Sequence, residues 1–139
     1  MTPSVVAPSV LAADVNLFCR DPEALMGFYR DLLGLPERTE ARSPIYRALR
    51  LGAAELGFNK RDAYALLNLA DREPAEGERG IRAYATFAVA AEADVDALAA
   101  HIPSLGGRVV KAPYRTYYGA WQAVATDPEG NVFRLNCRG

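Results

Sequence analysis

The same order of elements occurs twice along this chain, and that repetition restricts the fold more than any single motif. In the first half, Val15 to Cys19 (VNLFC) reads as a strand. Asp21-Pro22-Glu23 then starts a helix: Asp as N-cap, Pro in the first helical position, Glu near the positive end of the dipole. Leu25, Phe28, Tyr29, Leu32 and Leu33 share one helical face, Gly34 is the stop, and Pro36 lies just beyond. Ile45 to Leu49 and Ala53 to Asn59 are strand-like and join near Gly52. The half reads strand, helix, then two or three strands.

Asp71 to Gly80 (DREPAEGERG) has linker composition, charged and without apolar periodicity. After it Tyr84 to Val89 reads as a strand, and Val95, Leu98, Ile102 and Leu105 mark a helix face limited by Pro103 and ended by Gly106-Gly107. Arg108 to Lys111, Ala120 to Ala125 and Asn131 to Cys137 are strands, and Asp127-Pro128-Glu129-Gly130 is a turn. The expected fold class is α+β, two paired βαβββ modules forming a curled mixed sheet around one cavity. One domain spans 1–139, with module one at about 12–66, a linker at about 67–80 and module two at about 81–137.

Strand alternation then sorts the side chains. Val15, Leu17 and Cys19 pack under the first helix, while Asp14, Asn16 and Phe18 face the other way. Ala85, Phe87 and Val89 go under the second helix, and Tyr84, Thr86 and Ala88 face the cavity. Phe133 and Leu135 go under that helix as well, so Arg134 points into the cavity.

Half of the 139 residues are hydrophobic and 24% are charged, as in a globular domain. A net charge of −1 offers no electrostatic reason for nucleic acid or anionic membrane as a partner. The N-terminus, MTPSVVAPSVLAADV, has no basic region and reads as no signal peptide, and no apolar run is long enough to span a membrane. Cys19 and Cys137, the only cysteines, read as reduced thiols on buried strand faces of a cytoplasmic protein. Phosphate-binding, dinucleotide-binding, CxxC, HExxH and GxSxG motifs are all absent.

VNLFCRDPEALMGFYRDLLGL and the closing DPEGNVFRLN resemble the vicinal oxygen chelate superfamily of glyoxalase I, bleomycin resistance proteins and extradiol dioxygenases. The resemblance covers about residues 12 to 137. It implies four cavity-facing positions that hold a divalent metal in the family's enzymes, mostly His and Glu. Carried over by motif, they are Asp14, Glu55, Tyr84 and Arg134. Arginine offers no lone pair to a metal and stays protonated. Two carboxylates without imidazole suit Mg²⁺ or Ca²⁺ weakly and Zn²⁺, Ni²⁺ or Fe²⁺ poorly. The single histidine, His101, lies on the second helix, away from the cavity strands. No cofactor is therefore expected, and a divalent metal is possible but disfavoured. The resemblance also implies a homodimer.

On this reading Arg134 stands where the metal would be, held in a buried pair by Glu55, with Asp14 as a further candidate partner. The alternative is a structural ion pair or an arginine that reaches the rim. A second candidate is Ala112 to Gln122 (APYRTYYGAWQ), whose Arg115, Tyr117, Tyr118 and Trp121 suit a pocket for a planar, partly polar molecule, or else pack a sheet edge or dimer interface. Glu55 with Tyr84 could serve as base and acid in a metal-free proton transfer. Two functions stand open: a glyoxalase/bleomycin-resistance-like protein that binds a small molecule in the inter-module cavity without a metal, or an enzyme of the same superfamily (lyase, isomerase or dioxygenase-like) with a metal-free or atypical metal site.

Overall fold

The computed structural model describes residues 9–75 and 80–138. The first eight residues, where the absence of a signal peptide was expected, and the linker positions 76–79 lie outside them. The elements run β1 (Val15–Cys19), α1 (Pro22–Leu33), β2 (Tyr46–Leu51), β3 (Ala54–Lys60), α2 (Asp62–Leu66), β4 (Ala85–Ala88), α3 (Glu92–His101), β5 (Arg108–Arg115), β6 (Trp121–Thr126) and β7 (Val132–Cys137). They form two open sheets, β1-β3-β2 and β4-β7-β6-β5, each beginning with a parallel pair and continuing antiparallel. The fold is α+β with two modules, as the repeated order of elements implied.

The caps of α1 are those the sequence pattern requires. The Asp21 carboxylate accepts from the Ala24 N–H at 3.0 Å, and Gly34, at φ 68°, turns the chain while its N–H bonds to the Arg30 carbonyl. In α3 the residue before the helix is Ala91, which has no side-chain acceptor; only the reverse half of a capping box forms, Ala91 N–H to the Asp94 carboxylate at 3.2 Å. A 3₁₀ turn, Ile102–Leu105, carries α3 over Pro103 to Gly106.

The modules differ where their hairpins begin. Module two has a full eight-residue β5, whereas module one has in the same place only the Glu37–Leu49 bridge, with Arg38 N–H to Ala48 O and Arg50 N–H to Pro36 O at 2.9 and 2.8 Å. The expected third strand after α1 is reduced to that contact. Strand β5 also continues past Lys111 through 112–115, where the sequence pattern gives a loop. Pro113 is tolerated there because β5 is an edge strand, with register shifts on both sides of Lys111.

One hydrophobic core joins the modules. Helix α1 packs on β2 and β3, α3 packs on β5, β6 and β7, and α1 also touches α3 and its 3₁₀ turn. Tyr29 of α1 lies against Phe58 of the first sheet and Phe87 and Phe133 of the second, at centroid distances of 5.6, 6.0 and 5.5 Å. Burying these rings in stacked, tilted and edge-on pairs removes a large apolar area from water and adds some orientation preference. Gly107 shows how closely the layers meet. A Cβ there would lie 2.7 Å from the Thr126 carbonyl, 2.8 Å from Ile102 and 3.0 Å from Phe28. Gly107→Ala is expected to cost roughly 1–3 kcal/mol by overpacking, read as a lower urea midpoint at unchanged slope.

Both cysteines are free and buried. Burial, then the charges of Glu129, Asp21 and Asp127, push the Cys19 thiol up to about 12, so its thiolate is scarce at neutral pH. Cys19 is expected to resist a thiol reagent in the native protein and to react once urea unfolds it.

Candidate site on the second sheet

Alternation places the polar side chains of both sheets on the faces away from the helices. On the first sheet, the open face carries Asp14, Asn16, Tyr46, Glu55 and Asn59. Glu55 pairs with Arg38 through Nη1, and the Tyr46 hydroxyl is shared between Glu55 Oε2 at 3.4 Å and Asn16 Oδ1 at 3.3 Å. The Asp14 carboxylate accepts from the Glu55 backbone N–H at 2.8 Å. This cluster folds flat because Gly57 lies beneath it: a Cβ there would come within 2.2 Å of Asn16 Oδ1 and 2.3 Å of the Tyr46 oxygen. Burial, followed by the Glu55 charge, raises the Tyr46 phenol above its ordinary value, so it remains a donor at neutral pH. At one end of the same face Phe18 is covered by Tyr64 of α2, stacked at 3.7 Å.

On the second sheet, β4 and β7 run parallel with Thr86 opposite Arg134. Arg134 Nε donates to Thr86 Oγ1 at 3.0 Å, and the guanidinium lies 4.9 Å over the Tyr84 ring. The face continues through Asn136 and, across the antiparallel pairing, Gln122 and Tyr114. The Asn136 amide donates to Gln122 Oε1 at 2.8 Å and to the Tyr118 hydroxyl at 3.1 Å, and Gln122 Nε2 donates to the Tyr114 hydroxyl at 2.6 Å. Beside this network lies an open concavity of about 630 Å³ lined by Tyr117, Tyr118, Ala120, Arg134 and Arg138. Tyr117 is fully exposed, with its ring edge-on to Tyr118 at 5.1 Å.

This geometry corrects the expected pairing of Arg134. Neither Glu55 nor Asp14 reaches it: they belong to the first sheet, where Arg38 and the Tyr46 hydroxyl already occupy Glu55. Glu55 and Tyr84 likewise do not form an acid–base pair, since each is committed within its own sheet. Arg115 and Trp121 lie outside the concavity. Arg115 makes a two-pronged pair with Glu92 of α3 at 2.7 and 3.0 Å and covers the Trp121 ring, whose indole N–H donates to Asp96. They pin α3 to the β5–β6 hairpin. Arg115 lies opposite Trp121, on the helix side of β5, in a stretch where the sequence pattern gives a loop and so no face to assign.

These faces also hold residues that the sequence pattern does not single out. Asn136 and Gln122 could have been found by extending the alternation of β7 and β6 past Arg134. Tyr46 follows the same rule in β2. Arg38 sits in the irregular stretch after α1, where no periodicity exists to show its direction.

The four positions that would carry a divalent metal do not suit one. They hold Asp14, Glu55, Tyr84 and Arg134; the arginine cannot ligate, and the Glu55 carboxylate is neutralised by Arg38. Among the described residues no three His, Cys, Asp or Glu side chains converge as a set that could hold an ion.

Comparison with known proteins agrees with the architecture. A family model described as a Glyoxalase-like domain matches residues 12–136. A glyoxalase/bleomycin resistance protein/dioxygenase family enzyme from Burkholderia phytofirmans PsJN is similar at 40% identity and TM-score 0.85, over 91% of this chain and 97% of that one. A glyoxalase-related enzyme from Fulvimarina pelagi shares the fold at 20% identity and TM-score 0.74, over 91% and 87% of the two chains. The fosfomycin resistance protein FosX from Mesorhizobium loti does so at 14% and 0.65, over 94% and 93%. No match is found among curated proteins. With a family match spanning nearly its whole length, the chain belongs to the glyoxalase-like family of the vicinal oxygen chelate superfamily.

Proposed function

We propose that this protein binds a small anionic or carbonyl-bearing molecule on the open face of its second sheet, with Arg134 as the cation of the site and no metal. One observation carries the reading: among the described residues Arg134, which lines the concavity, has Thr86 and the Tyr84 ring as partners and no carboxylate on its two terminal nitrogens. A guanidinium with a free fork is well shaped for a carboxylate or similar planar oxygen pair. Tyr117 and Tyr118 add aromatic surface to the same wall.

The test combines binding with metal content. Benzoate serves as the probe, followed by chemical-shift titration. Arg134→Gln is expected to weaken it about tenfold, the loss of one charge-assisted contact, while the melting temperature stays within a few degrees. Unchanged benzoate affinity with lowered stability would make Arg134 structural only. After equilibration with Ni²⁺, Zn²⁺, Mn²⁺ and Fe²⁺ and removal of excess, near-stoichiometric metal by mass spectrometry would overturn the metal-free reading.

A second reading, an enzyme of the superfamily with a metal-free or atypical metal site, is favoured by the description of the Burkholderia phytofirmans protein as a family enzyme. Stoichiometric metal would support it. A homodimer belongs to either reading and is checked by light scattering. Free buried thiols at Cys19 and Cys137 fit a reducing, cytoplasmic setting. No helix among the described residues is long and apolar enough to cross a membrane.

A further inference from the structure

The concavity beside β7 has two cations, not one. Arg138 follows β7 by one residue and lines the same space as Arg134, and neither has an acidic partner among the described residues. No carboxylate side chain is among the described lining residues either. Two guanidinium groups facing one concavity repel each other, and a ligand bearing a single negative charge would neutralise only half of that field.

Their placement also limits how the compensating charge is distributed. Four residues of extended chain separate the two Cα atoms by roughly 13 Å. Arg134 leans sideways onto Thr86 of β4 and onto Tyr84, which precedes that strand at its end furthest from Arg138. Tyr118 lines the same concavity, its hydroxyl tied to Gln122 and to Asn136, which is two residues from each arginine, and its ring half-exposed.

We propose that this site takes a dianion whose two charged groups are separated by a spacer, one group on Arg134 and the other on Arg138, with the spacer crossing the Tyr118 ring. A linear or aromatic dicarboxylate has this chemistry. The proposal rests on the reading of Arg134 as the anion-binding cation and adds the second charge.

The experiment compares glutarate, pentanoate and inorganic phosphate by calorimetric titration of the intact protein at low ionic strength. Glutarate is expected to bind about tenfold more tightly than pentanoate, the effect of one further charge-assisted contact. Arg138→Gln should bring that ratio close to one, and Arg138→Lys should retain part of it; melting curves confirm that both variants are folded. Equal affinities for glutarate and pentanoate, or a ratio that survives Arg138→Gln, would overturn the proposal. Phosphate binding as tightly as glutarate would overturn the separation of charges. If none of the three binds, or Arg134→Gln leaves binding unchanged, the underlying reading of Arg134 falls as well.

Discussion

Asp127→Ala is expected to lower stability by about 3 kcal/mol, read from urea unfolding at neutral pH. Asp127 is only 2% exposed, yet it accepts from four protein groups: the Tyr29 hydroxyl at 2.7 Å, the Glu129 and Asn131 backbone N–H groups at 2.9 and 3.0 Å, and the Asn131 amide, which meets both oxygens at 3.2 and 2.9 Å. Removing the carboxylate leaves the Tyr29 hydroxyl without a partner in the core and opens the turn before β7. Asp127→Asn, which keeps an acceptor, is expected to lose less. The same contact has a signature at high pH. Burial first, then the Asp127 charge and the hydrogen bond, raises the Tyr29 phenol far above its ordinary value of 10.0. The native state keeps this proton where the unfolded chain releases it. Tyr29 therefore contributes its full stabilisation below that value, and the contribution falls above it by up to about 1.4 kcal/mol per pH unit. Compared with Tyr29→Phe, the wild type should show this additional alkaline slope; equal slopes would mean that the phenol is not held as the structure places it.

Phe133→Ala is expected to cost about 3–5 kcal/mol, with a melting temperature lower by roughly 10 °C or more. Phe133 has no exposed surface and touches the rings of Phe28, Tyr29 and Phe87, at 6.0, 5.5 and 6.0 Å. Two of these belong to α1 in the other module, so the cavity left by truncation opens at the joint between modules. Phe58→Ala, on the first sheet, should cost a comparable amount and through the same ring, because Tyr29 packs on both. A cost below 1 kcal/mol for Phe133→Ala would contradict a single shared core.

Much of this architecture could be read before any coordinates. Asp21 and Gly34 each act through bonds to the backbone within four residues, so the ends of α1 were local facts. The period of two in VFRLNC was enough to turn Arg134 away from α3. What could not be read were directions set between elements. Arg134 and Glu55 both face away from their helices, but alternation says nothing of how two sheets sit relative to one another, and so their pairing was misjudged. Arg115 is hidden for a different reason: the period of two is lost after Lys111, where β5 carries register shifts and Pro113, so the sequence shows no strand on which to place it. Arg38 had no periodic context at all. The chemistry of the second sheet was thus half legible, with Arg134 and the two tyrosines found and Arg138, Gln122 and Asn136 supplied by the fold.

The Glu129 carboxylate accepts from the Arg20 and Asp21 backbone N–H groups, at 2.7 and 3.2 Å, across 109 and 108 residues of chain. Asp21 is the residue that begins α1. During synthesis this helix therefore leaves the ribosome with its entry unclamped and with Tyr29 lacking both its acceptor and half of its packing partners. The clamp, the acceptor and the Phe133 ring all come from residue 127 onward, and of the second-sheet partners Phe87 alone emerges earlier. Module one expressed alone should behave as a loosely packed chain, and acquisition of the native state should await the final strand, with helix and turn locking together in one late, cooperative step.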